Sequence, residues 1–382
     1  MKQIFDKPIF SLGFRPFFLM AMAFLPMVTL YFVLSFTGIF TSQNLGWDIV
    51  NWHRHEMVFG YSSAVIAGFL LTAVPNWTGH PTPKGSQLAL LCGFWIIGRF
   101  AMLFSAYLPI YVVAICDIPF YFFVAVAILP ALIKSQNRRN YFFLLLLLFQ
   151  SIANSIMHFG DPELGMRMGL NIIILIMLII GGRIIPFFTE NAKGIKIYRD
   201  PRIEKLAMYC AIGAAILDIW RFAPMLSGFA LLLAAFSNLW RFTQWKTIES
   251  LDEPLLWILH IGYFWLVVGM FLKALDLFGF HIPNAVANHA FTIGGIATLT
   301  MGMMARVSLG HTGRPLKVHN TIILAFIMVN MAAFARVFWV WILPHQTSSI
   351  YLFSATLLSV SFILMLPIYF PILTNERFSK KV

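Results

Sequence analysis

The sequence is poor in charge and in cysteine, and each scarcity excludes something. Asp, Glu, Lys and Arg make up 11% of the residues against 60% hydrophobic, so a water-soluble globule would leave far too much apolar side chain uncovered. The three cysteines, Cys92, Cys116 and Cys210, all sit inside apolar runs, with neither CxxC nor CxxCH. That excludes a disulfide framework and a thioether-linked cofactor. There is no P-loop and no GxGxxG glycine pattern, which argues against a primary ATP-driven pump. No stretch is long or polar enough for a soluble domain, and none is of low complexity. The N-terminal MKQIFDKPIFSLGFRPFF lacks a small-residue cleavage site, so the first apolar run is expected to be retained as a span.

What remains is apolar runs of spanning length, near 17–38, 55–76, 86–105, 110–133, 140–159, 166–187, 203–224, 226–242, 255–276, 285–307, 318–343 and 349–371. The expected fold is therefore all-α, a polytopic membrane protein of about twelve helices in a single transmembrane domain over 1–382, with a basic loop at 188–202 between two sets of six. No convincing repeat relates the two sets. The net charge of +12 reads as basic cytoplasmic loops and not as a nucleic-acid surface. Twenty lysines and arginines, from Lys2 to Lys381, fall in the termini and even-numbered loops, against Arg54, Arg167 and Arg221 in the odd ones. The positive-inside rule then places both termini in the cytoplasm.

With that orientation Arg99, Asp117, Asp218, Lys273, Asp276 and Arg336 all lie in the outer halves of their helices. Charges there are costly unless they are paired or face a wet cavity. Arg99 and Asp117, at matching depths either side of a short turn, are expected to pair. Lys273 and Asp276, three apart, suggest a local pair. Arg336 has no sequence-local partner and is the first candidate for an anionic group such as a haem propionate, while Arg183, near an inner end, is expected to snorkel.

Histidines His53, His55, His158, His281 and His289 mark the outer mouths, and several neutral imidazoles on one face form a candidate metal centre. His53 and His55 are two apart and would point about 200° away from each other on a regular helix, so they share an ion only if His53 precedes the helix. Glu56 then reads as a helix cap. Small residues recur every four positions at Gly60, Ala64, Gly68 and Thr72, and again at Gly294, Thr298 and Gly302. Such stripes admit a neighbouring helix or a flat cofactor, and the two could pack together, bringing His289 beside His53 and His55. On the inner side His260 and His311 form a candidate second site.

The segments WHRHEMVFGYSSAVIAGFLLTAVPNWTG from Trp52, GGRIIPFFT from Gly181, LHIGYFWL from Leu259 and HAFTIGGIATLTMGMMARVSLGHTGRPL from His289 resemble the signature segments of the NnrS family. The resemblance spreads over most of the chain. It implies a bacterial inner-membrane protein linked to nitric oxide metabolism or nitrosative stress and carrying haem and copper, with nitric oxide or a metal-nitrosyl species as ligand. The positions it carries over are His53, His55, His158, His260, His289 and His311, with Glu56, Asn76, Arg183 and Arg306. Without CxxCH, such a haem is non-covalent and b-type. The rival reading is a secondary transporter using the same outer cavity, with histidines and aspartates relaying protons. A relative of haem–copper oxidases is disfavoured, because the tenth helix has one histidine at its mouth in place of a deep HxH pair.

Overall fold

The computed structural model describes residues 5–221 and 223–378. Lys2, Lys380 and Lys381, counted above with the cytoplasmic charges, lie outside them. Among the described residues there are helices and connecting turns and no strand. Eleven helices are long and apolar enough to cross a membrane: α1 (Phe14–Phe36), α2 (Ile49–Thr78), α3 (Gly85–Leu103), α4 (Ile110–Lys134), α5 (Arg138–Phe159), α6 (Pro162–Lys193), α8 (Pro224–Thr243), α9 (Pro254–Leu277), α10 (Asn284–His311), α11 (Asn320–Ile342) and α12 (Pro344–Thr374). The remaining one, α7 (Pro201–Trp220), is 20 residues long, enough to span. With Arg202, Glu204, Lys205 and Asp218 in twenty residues it is more densely charged than those eleven. The protein is thus an all-α, multi-pass membrane protein.

The helices form two compact units. The first takes the chain through Ile172 together with Val307–Pro315 and the residues from Phe362 onward; the second takes Ile173–Arg306 and Leu316–Ser361. The boundaries fall inside α6, α10 and α12 and in the connection between α10 and α11, not in the basic loop.

In the first unit the small-residue stripe of α2 receives α1. Phe24 lies against Gly60, Phe17 and Phe18 lie against Gly68, and the backbone N–H of Phe14 donates to Thr72 Oγ1 at 3.0 Å. In the second unit the stripe of α10 receives α9, with Trp265 against Gly294 and Ile258 and Leu259 against Gly302. Each stripe is filled by side chains of its own unit, and the close backbone approach that small residues permit is spent on bulky aromatic and aliphatic neighbours.

Both helices also widen to π-helix, α2 at Glu56–Tyr61 and α10 at Ala290–Ala297. A hydroxyl five residues on closes each widened turn: Ser62 Oγ donates to Met57 O at 2.9 Å and Thr298 Oγ1 to Ile293 O at 3.2 Å. Such bulges gather at functional sites because they re-aim side chains within a continuous helix. In α2 the widened turn begins directly after His55.

Candidate metal centre

The first unit holds a buried polar cluster built from four helices. α2 starts at Asp48, whose side chain accepts from the backbone N–H groups of Val50 and Asn51. Helix therefore runs through His53, His55 and Glu56, and the capping role expected of Glu56 belongs to Asp48. Glu56, 1% exposed, instead accepts from His55 Nδ1 at 2.8 Å and from Arg99 Nη1 of α3 at 2.6 Å. Arg99 Nη2 also meets Asp117 Oδ1 of α4. The expected Arg99–Asp117 pair is present, enlarged by a second acid.

The other oxygen of that carboxylate, Asp117 Oδ2, receives His55 Nε2 at 2.9 Å, His158 Nε2 of α5 at 3.0 Å and Asn154 Nδ2 at 2.7 Å. His55 and His158 meet edge to face with ring centroids 5.3 Å apart. Trp47 packs edge-on against both, at 5.4 and 5.1 Å, and keeps their edges dry.

Both nitrogens of His55 face carboxylate oxygens, which have no hydrogen to offer, so both carry N–H. His55 and Arg99 then balance Glu56 and Asp117. In a low-dielectric interior such balance is what makes buried charges tolerable.

The arrangement also fits a metal ion. Among the described residues His55, Asp117 and His158 are the one group of His, Cys, Asp or Glu whose ligand atoms converge, all within 4.8 Å of one another. Two ligand atoms each about 2.1 Å from an ion are about 3.0 Å apart when they subtend a right angle, which matches the separations above. Two further observations agree. Asp117 Oδ2 takes three donors, more than the two lone pairs of one oxygen. His158 Nδ1 is buried without a hydrogen-bond partner, so this ring can carry its hydrogen there and turn Nε2 into a ligand. Glu56 behind His55 Nδ1 is the outer carboxylate that commonly orients a ligating imidazole.

The other expected site residues have partners of their own. His53 sits on the opposite side of α2, its ring stacked on Phe32 of α1 with centroids 3.9 Å apart, so the regular-helix geometry separates it from His55 as anticipated for two residues both inside the helix. His289 belongs to the second unit, where its Nδ1 donates to Ala285 O at 2.5 Å. His260 is fully buried there. Thr189 Oγ1 donates to Ile185 O and therefore accepts from His260 Nε2 at 3.1 Å, while Thr247 Oγ1 meets Nδ1 at 3.0 Å. Both its nitrogens are engaged.

His311 is in the first unit against the Phe14 ring, 5.8 Å between centroids. Asn76 donates to Thr72 O of its own helix at 3.2 Å. Arg183 is half-buried on α6. Arg336, 7% exposed, stacks on the Tyr351 ring at 3.4 Å. The ammonium of Lys273 meets Asp218 of α7 at 2.6 Å, a cross-helix pair where a local one with Asp276 was expected.

Trp47 and Asn154 were not anticipated. A signal for Asn154 exists in the sequence: Gln150, Asn154 and His158 recur every four residues on a helix rich in Leu, Phe and Ile, a polar stripe that must face protein.

A many-spanning helical protein with carboxylates and imidazoles converging inside one unit belongs to the class of membrane proteins that carry a buried polar centre. Comparison makes the class specific. The family model described as NnrS protein matches residues 8–377, and the chain belongs to this family. No curated protein matches it.

Proposed function

We propose that this protein is a metal-carrying bacterial inner-membrane protein of nitric oxide metabolism or nitrosative-stress resistance, with copper held by His55, His158 and Asp117. The observation that carries the reading is the convergence of two imidazole nitrogens on one oxygen of Asp117, with Glu56 behind one imidazole. Two imidazoles and a carboxylate suit divalent first-row metals, copper among them. Bound copper would supply one-electron redox chemistry and a coordination position for nitric oxide. Around it Glu56 and Asn154 orient His55, Arg99 compensates the two acids, and Trp47 limits access of water.

The cluster serves haem less well, because three ligand atoms converge within 4.8 Å of one another, a set that suits a bare ion, whereas haem iron takes at most two axial ligands from the protein. We assign the b-type haem to His289 with Arg336, both in the second unit. The Asn284–His289 turn packs against the π-helical turn Ala335–Trp339 that carries Arg336. Arg336 Nη1 is buried with no acceptor, as a guanidinium awaiting a propionate would be.

The test is metal analysis with visible and electron paramagnetic resonance spectra of purified protein. His55→Ala and His158→Ala should each lose copper while inserting normally and keeping the haem absorption, and His289→Ala should do the reverse. Copper retained at wild-type stoichiometry in both His55→Ala and His158→Ala would overturn the copper assignment.

A further inference from the structure

Arg241, Lys273, Arg306 and Arg336 are the strongly buried cations of the second unit, from 2% to 7% exposed. Arg241 and Lys273 meet carboxylates, Glu204 and Asp218, at 2.6 Å each. Arg306 meets a ring instead. Its guanidinium lies 4.1 Å from the centroid of Phe188, it is 7% exposed, and among the described residues none of its N–H groups has a hydrogen-bond acceptor. A cation–π contact offers less than a charge in the hydrocarbon layer costs.

The α9 N-terminus lies beside Arg306 and adds the positive end of a helix dipole. α10 lies along α9, with Gly302 against Ile258 and Leu259, so one turn further on Arg306 comes beside the first turn of α9. That helix is 24 residues long, begins at Pro254 and has no side-chain cap. Pro254 has no N–H, and the N–H groups of Leu256 and Trp257 donate to Glu253 O at 2.8 and 3.0 Å, so this end offers the Leu255 N–H and the positive end of the helix dipole. Glu253 is the carboxylate in electrostatic reach of Arg306, and no hydrogen bond joins the two.

We propose that Arg306, with Phe188 as its platform and the α9 N-terminus beside it, binds a phosphate-type oxyanion. A tetrahedral phosphate can take the planar fork of a guanidinium and a helix N-terminus at once. Arg306 stands five residues before the end of α10 at His311, roughly 8 Å along the helix. This is the end that the charge distribution assigns to the cytoplasm, at headgroup depth. The phosphate can come from an anionic lipid or from solution. Glu253 beside the site favours the single charge of a phosphodiester over a dianion.

Purified protein stripped of lipid would be titrated with phosphatidylglycerol in phosphatidylcholine, with phosphatidylcholine alone, and with sodium phosphate at constant ionic strength, following thermal unfolding. Phosphatidylglycerol should raise the wild-type midpoint, and Arg306→Gln should need about tenfold more for the same rise, with Arg306→Lys between them. A response to sodium phosphate that depends equally on Arg306 would identify the free ion as the source. If Arg306→Gln does not accumulate, native mass spectrometry of wild type and Arg306→Lys decides, with the lysine variant retaining fewer phosphatidylglycerol molecules. Responses to both anions that are independent of residue 306 would overturn the site.

Discussion

Asp117 is the residue on which the cluster turns, because one carboxylate serves Arg99 with one oxygen and His55, His158 and Asn154 with the other. Its structural and ligand roles can be separated by substitution. Arg99→Met leaves Glu56 and Asp117 with His55 as their one remaining cation, and should destabilise the fold by about 3–5 kcal/mol, read as a lower unfolding midpoint in detergent. Adding Asp117→Asn to that variant removes the excess charge and should recover much of the loss. It should not recover bound metal, because the amide cannot replace the ligating oxygen charge. A double variant no more stable than Arg99→Met would mean that charge balance is not what Arg99 provides. His53→Ala, with its ring on Phe32, should keep the metal, and His281→Ala and His345→Ala should be silent. The parts of this site visible in the sequence were those with local spacing: the Arg99–Asp117 pair across a turn, and histidines at helix ends. The convergence was not visible, since it depends on how α2, α3, α4 and α5 pack. Glu56 was misread because the apolar run begins near His55, whereas the helix begins at its Asp48 cap.

At the level of elements, glycine positions report which side chain occupies a crossing. In the GGRIIPFFT segment a methyl group on Gly182 would come within 1.6 Å of Arg241 Nη2, and one on Gly181 within 3.1 Å of the Tyr263 ring. Arg241 cannot retreat easily, since it also donates to Leu178 O at 3.0 Å, to Tyr263 OH at 3.3 Å and to Glu204 at 2.6 Å. Gly182→Ala should therefore cost about 3 kcal/mol or more, by overpacking and by breaking a buried ion pair. Gly213→Ala, in α7 with nothing within 4 Å of the new methyl, should be neutral or slightly stabilising, because alanine suits a helix interior better. Equal unfolding midpoints for the two variants would refute this account of the paired glycines. The spans themselves were legible to within six residues at either end, because runs of apolar side chain are what both the bilayer and a helix of spanning length require. The π-helical turns were not legible. They arise where neighbours such as Trp95, whose Nε1–H donates to Gly60 O at 3.0 Å, take carbonyls out of the regular ladder.

For the whole molecule, the sequence argument that matters most is orientation, because every assignment of a site to an outer or inner face rests on it. Lysines and arginines concentrate in alternate loops, twenty against three, and the twelve helices occupy the positions that count requires, provided α7 crosses despite its charges. The structure indicates how it can: Glu204 pairs with Arg241 and Asp218 with Lys273, so two of the four charged residues that set α7 apart from the other spans are neutralised by helices α8 and α9. With α7 crossing, the chain passes the bilayer an even number of times and both termini lie on one side. A reporter fused after Lys196 should then be active only in the cytoplasm, one at Pro162 only outside, and one after Arg221, just beyond α7, only outside. If α7 does not cross, the Arg221 fusion reports the cytoplasm while the Lys196 fusion is unchanged. That single result would invert the orientation of α8 to α12, moving Arg306 to the outer leaflet and His289 to the inner one.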